Sequence, residues 1–171
     1  MRKTICIIIA AIMSVAVSAQ SAKDFAQKFV EQCDVDTALQ CVTISPSMME
    51  QLTKKAGAQS NTNMAKAIQK LKSARIVTTS TNGEEYYKRA EDLLKRNSQR
   101  FTHTKDYRNN HSHGTFYVRK TRNGDTTEMV MLHADRQTGT LVIVNLTGDI
   151  DEEFVNSLTQ TFGNRKAVSG S

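Results

Sequence analysis

Two runs in the second half of the chain, Met129-Val130-Met131-Leu132 and Leu141-Val142-Ile143-Val144, constrain its fold more than any other feature. Side chains of a strand alternate between two faces, so a half-buried strand reads apolar then polar. These runs are apolar at consecutive positions, and each therefore needs cover on both faces. They are expected as central strands, about Thr126 to His133 and Thr140 to Leu146, preceded by a third at about Thr115 to Lys120. Asn123-Gly124 and a turn through Asp135 to Gly139 join the three into a β-meander. Asn-Gly between strand-like runs is a strong hairpin signal because both residues tolerate positive φ.

The cover comes from upstream. Phe25, Ala26, Phe29, Val30 and Cys33 recur at three- and four-residue steps, which predicts an amphipathic helix. A short strand, Cys41 to Ile44, follows, and Ser45-Pro46 then opens a helix with serine as N-cap and proline at its first position. Met48, Met49 and Leu52 form that helix's expected buried face. The polar stretch Gly57 to Asn63 reads as a loop. Met64, Ala67, Ile68 and Leu71 mark a further helix, feeding a strand at about Arg75 to Thr79. Asn82-Gly83 is a break, after which Tyr87, Ala90 and Leu94 set a helical period to about Lys95.

That helix is densely charged. Glu84 and Lys88, Glu85 and Arg89, Glu91 and Lys95, and Asp92 and Arg96 each place an acid four residues before a base, the spacing of a solvated face. A short strand near Phe101 and a loop from Lys105 to Ser112 lead into the meander. Thr147-Gly148-Asp149 is expected to enter a last helix, capped by Asp149 with Glu152, whose stripe is Ile150, Phe154, Leu158 and Phe162. The fold class is α+β: one domain, helices packed on a mixed, mostly antiparallel sheet, with a C-terminal meander and a final helix.

The first residues read as a signal peptide. Arg2 and Lys3 precede an apolar run from Ile5 to Val17, and Val17-Ser18-Ala19 suits cleavage before Gln20. A run of about thirteen residues is short for a bilayer, which takes roughly 20. The expected organisation is a signal peptide over 1–19, a domain over 20–165 and a disordered tail over 166–171, exported to the periplasm or cell envelope. Losing Arg2 and Lys3 lowers the formal charge from +6 to +4, with signs interleaved. Nucleic acid and a membrane span after cleavage are not expected.

Of three cysteines, Cys6 leaves with the leader, so Cys33 and Cys41 are the disulfide candidates of an oxidising compartment. Closing their loop of about nine residues is worth roughly 2–3 kcal/mol on the chain-entropy account. Two buried thiols are the alternative.

The segments Val42-Thr43-Ile44-Ser45-Pro46-Ser47-Met48-Met49 and Asn145-Leu146-Thr147-Gly148-Asp149-Ile150, with the leader, size and element order, resemble the family called domain of unknown function 4252, exported proteins of Bacteroidota. The resemblance covers essentially the whole exported chain. Its motifs are structural, a strand entering a helix twice over, and it implies no catalytic residues or cofactor. It also implies a bacterial envelope in which Asp36-Thr37-Ala38 fits an O-glycosylation pattern, making Thr37 a candidate.

Chemistry-bearing residues are sparse. His103, His111, His113 and His133 would be the ligands of a metal site or enzyme if three of them converged on one point. No Gly-x-Ser-x-Gly elbow or phosphate-binding glycine loop is present. Seven methionines fall at helix or strand spacing, as core filling requires. Tyr86-Tyr87 and Phe116-Tyr117 put aromatics on opposite sides of their elements, so one of each pair is a candidate exposed anchor. Arg108, Arg119, Lys120 and Arg122 would bind an anionic glycan if clustered. The reading that best fits is a non-catalytic envelope protein, binding another envelope protein or serving envelope stress signalling. The metal or enzyme reading and the glycan reading are the alternatives.

Overall fold

The structure, a computed structural model, describes residues 23–33, 38–48, 50–51 and 62–156. Residues 1–19 (read as a signal peptide), Thr37, Met49, Leu52, Leu158, Phe162 and residues 166–171 (read as a tail) lie outside these residues.

The described elements are α1 (Phe25–Gln32), β1 (Gln40–Ile44), α2 (Thr62–Gln69), β2 (Leu71–Thr79), α3 (Gly83–Arg96), β3 (Thr102–Arg108), β4 (Ser112–Lys120), β5 (Thr126–Asp135) and β6 (Thr140–Ile150). The strands form one six-stranded sheet in the order β1-β2-β6-β5-β4-β3, antiparallel at every pairing. The α+β class and the meander are as the sequence indicates. β5 and β6 are central, as their doubly apolar runs require.

Each face has its own core. Val130, Leu132 and Ala134 of β5 and Leu141 and Ile143 of β6 pack beneath α1 and α3, against Phe25, Phe29, Tyr86, Tyr87, Ala90 and Leu94. On the other face Met129, Leu146 and Val118 pack against Ala67 of α2, and Phe154 and Val155 of the helical residues 152–156. Burial of a large apolar side chain contributes roughly 1.5–3 kcal/mol, so two such layers supply most of the drive to fold. No helix among the described residues is long and apolar enough to cross a membrane.

A buried polar network fastens α1. Asp24 is its N-cap, accepting from Gln27 N–H at 2.9 Å, and pairs with Arg75 of β2 at 2.9 Å. The N–H groups of Phe25 and Ala26, among the four a helix start leaves unpaired, donate to Glu128 Oε1 at 2.7 Å and Asn145 Oδ1 at 2.8 Å. Asn145 Nδ2 also donates to Glu128 Oε1 at 3.1 Å. Arg119 Nε stands 2.9 Å from Glu128 Oε2, a charge contact whose angle falls short of a hydrogen bond.

Several expectations are corrected. Leu71 begins β2 instead of ending a helix, because the chain turns at Lys70 and Leu71 is buried against the sheet face. Lys105 to Arg108, read as loop, continue β3, since an edge strand can be polar on both sides once one neighbour supplies its ladder. Thr147 to Ile150 stay in β6, and Gly148, at φ 143°, lets β6 pass close to the backbone of Lys70 and Leu71. The cap of the last helical residues is therefore Asp151, accepting from Phe154 N–H at 2.7 Å, not Asp149. Ser45 does cap the turn at 46–48, accepting from Met48 N–H, but Met48 itself is 49% exposed. Both members of Tyr86-Tyr87 and Phe116-Tyr117 are buried, because helices and strands cover each face there.

The turns follow their sequence signals in part. At Asn123-Gly124 only Gly124 has positive φ, and Gly124 N–H donates to Thr121 O. At the second turn Asp135 accepts from Gln137 and Thr138, and Gly139 has φ 71°.

Candidate interaction edge and the histidine-bearing groove

The sheet ends in two unlike edges. β3 is charged, with Lys105, Asp106 and Arg108 among its seven residues, and carries a register shift between His103 and Lys105. Charge and irregularity are the usual means of keeping a free edge from pairing with another chain. β1 has neither device. Its sequence Gln40-Cys41-Val42-Thr43-Ile44 is uncharged, its pairing with β2 is regular, and four of its five residues are exposed. Val42, at 56%, and Met48 are the exposed large apolar side chains among the described residues. The cation beside the strand, Arg75, is neutralised by Asp24 and donates to Thr43 Oγ1 at 3.2 Å.

The four histidines are dispersed. His103 Nε2 lies 2.8 Å from Asp106 Oδ1, and its ring meets Tyr117 edge-on at 5.3 Å between centroids. His113 packs edge-on to Tyr87 under α3, its Nδ1 3.5 Å from Glu84. His133 pairs with Gly114 on the opposite face, stacked on Tyr107 and 2.6 Å from its hydroxyl. His111 is exposed in the turn before β4. Among the described residues no three metal-ligating side chains converge.

A groove of about 400 Å³ opens between α3 and β3, lined by Glu91, Lys95, Ser98, His103, Asp106 and Tyr117. Its groups sense one another. Burial pushes Asp106 up, but its neighbours, His103 foremost through a hydrogen bond, outweigh it and leave the carboxyl below its usual range. Burial, aided by Glu91, raises the Tyr117 phenol. The acids on its walls are each engaged: Glu91 pairs with Lys95 at 2.8 Å, and Asp106 shares a hydrogen bond with His103. Sequence spacing could not reveal this groove, since it joins residues from α3, β3 and β4.

The four basic residues do not form one cluster: Arg119, Lys120 and the exposed Arg122 lie at one end of the β4–β5 hairpin, and Arg108 lies apart from them. Arg119 and Lys120 are neighbours on β4 and so point to opposite faces, Arg119 to Glu128 and Lys120 to Glu152 at 3.3 Å. Arg108 pairs with His113 at the start of β4, roughly 20 Å from Lys120 at the strand rise of about 3.3 Å per residue. Glu84 serves Arg136 at 3.1 Å instead of Lys88.

Cys33, the C-cap of α1, is half-buried against the core under α1, and Cys41 is an exposed thiol on β1 opposite Val77 of that same core.

A family model, domain of unknown function DUF4252, matches residues 35–158. The match begins past α1. No curated protein matches the chain. Among solved structures, a Pseudomonas aeruginosa protein of unknown function, PA94, is 12% identical over 77% of this chain and 83% of its own, with a TM-score of 0.35. The Saccharomyces cerevisiae Ran-binding protein Mog1p is 12% identical over 52% of this chain and 56% of its own, with a TM-score of 0.30.

Proposed function

The chain belongs to the DUF4252 family, and from that premise we propose that it is an exported, non-catalytic cell-envelope protein of a Gram-negative bacterium that works by binding another protein. The observation that carries the reading is the β1 edge. It is uncharged, regular and exposed, and it bears Val42 where a monomer would ordinarily place a charge, with Met48 exposed just past its end. Strand addition to such an edge draws affinity from main-chain hydrogen bonds and specificity from alternate side chains. Envelope stress signalling is a role such a contact could serve.

The leader supports export, and export to an oxidising compartment supports a Cys33–Cys41 bridge, with Cys33 packed on the core under α1 and Cys41 exposed on β1 opposite Val77 of that core. Glycosylation of Thr37 belongs to the same proposal. The test is made on protein from its own envelope, crosslinked in cells through a photoreactive residue at position 42. Capture of a discrete protein partner supports the reading. An uncrosslinked chain in the cytoplasmic fraction, still carrying residues 1–19, would overturn it.

A further inference from the structure

Resting on that reading, we infer that the occupant of the β1 edge is a second copy of this chain, paired β1 to β1 in antiparallel register about a two-fold axis at Val42. Such an interface is isologous, so the strand must be complementary to itself. β1 meets the condition. Pairing about Val42 sets Gln40 opposite Ile44, Cys41 opposite Thr43 and Val42 opposite its own mate, with no charge anywhere along the junction. On the α2 side of the sheet, where Ile44 already packs, the two Val42 side chains would cover each other.

The other edge shows why the choice falls here. The same operation on β3 sets Lys105 against Lys105, a like-charge pair directly across the junction, next to a register shift that breaks the ladder. Two copies of a chain with formal charge +6, or +4 after loss of Arg2 and Lys3, repel at long range. Contact then requires a patch free of net charge. Around β1 the nearby guanidinium of Arg75 is already compensated by Asp24 and held by Gln27 Oε1 at 2.9 Å and Thr43 Oγ1. The product would be one continuous twelve-stranded sheet, built from two copies of the six-stranded one.

The experiment is sedimentation equilibrium of the exported chain across a dilution series, run beside Val42→Lys and Val42→Thr. Val42 is exposed in the single chain, so at dilutions where each is monomeric both variants should melt with the wild type. Wild type and Val42→Thr are expected to reach twice the monomer mass, and Val42→Lys to dissociate about tenfold or more readily, since it sets two like charges face to face. In cells holding two differently tagged copies, the photoreactive residue at position 42 should join the tags. A monomer at every concentration, with position 42 crosslinking to a different envelope protein, overturns the second copy and leaves the binding reading standing. A monomer with no adduct at all overturns both.

Discussion

Glu128 Oε1 receives the Phe25 N–H at 2.7 Å, across 103 residues of sequence, so a carboxylate that is 1% exposed in a central strand serves as the anchor of the first helix. The helix start contributes partial positive charge and unpaired donors, and Arg119 contributes a full one. Together they make burial of the carboxylate tolerable, where an unpaired one would cost several kcal/mol. Phe25 lies outside the span matched by the family model and Glu128 within it, so the domain holds an element beyond that span through this contact.

Removing the anchor is expected to be expensive. Glu128→Ala leaves the Phe25 N–H without its acceptor, frees the Asn145 amide that orients the Ala26 bond from one of its two acceptors, and leaves Arg119 without its partner, for a loss of about 3–5 kcal/mol in urea unfolding. Hydrogen exchange should show the amides of Phe25 and Ala26 losing protection first. A loss under about 1 kcal/mol, with α1 still protected, would contradict the network.

Phe29 and Met48 make a contrasting pair. Phe29→Ala removes a fully buried ring and should cost about 3–5 kcal/mol. Met48→Ala trims a half-exposed side chain and should stay within about 0.5 kcal/mol of wild type. Comparable losses at the two positions would show the assignment of core and surface to be wrong.

Gly83 is where the start of α3 meets the turn between β5 and β6. Its N–H donates to Gly139 O at 2.9 Å, and a Cβ there would come within 2.5 Å of the Thr140 carbonyl. Backbone on both sides cannot yield cheaply. Gly83→Ala is predicted to lower stability by about 1–3 kcal/mol, as overpacking does, visible as a lower Tm. Gly124, whose Cβ position is open, should lose stability only through its positive φ.

His113 predicts a pH dependence. Burial lowers its pKa below 6.5, opposed by Glu84 and reinforced by Arg136 and Arg108. The unfolded chain thus binds more protons than the folded one between the folded value and about 6.5, so stability rises with pH across that window and falls as the solution is acidified through it. Equilibrium unfolding between pH 7.5 and 5.5 should show a shallower slope for His113→Gln than for wild type. Equal slopes would place the pH dependence on other groups.

For the cysteines, the proposed export predicts a protein that is unreactive toward thiol reagents until reduced and gains about two mass units on reduction. Cleavage of the bridge should cost roughly 2–3 kcal/mol. Free reactivity at Cys41 in the exported protein would count against the bridge.

Local pattern was enough for much of this protein. The period of Phe25, Ala26 and Phe29 announces α1, and the doubly apolar runs of β5 and β6 announce strands covered on both faces, because burial imprints its periodicity directly on neighbouring residues. Gly124 and Gly139 mark turns through a backbone requirement that is likewise local. The tertiary structure alone decided the rest. Whether Lys105 to Arg108 is loop or strand depends on a partner strand supplying hydrogen bonds, not on its own polarity. That Glu128 is buried, that Glu84 turns from Lys88 to Arg136, and that the two sheet edges differ all depend on which distant backbone or charge arrives alongside. Such contacts leave no period in the sequence, because their energy is set by separations in space that the chain acquires only on folding.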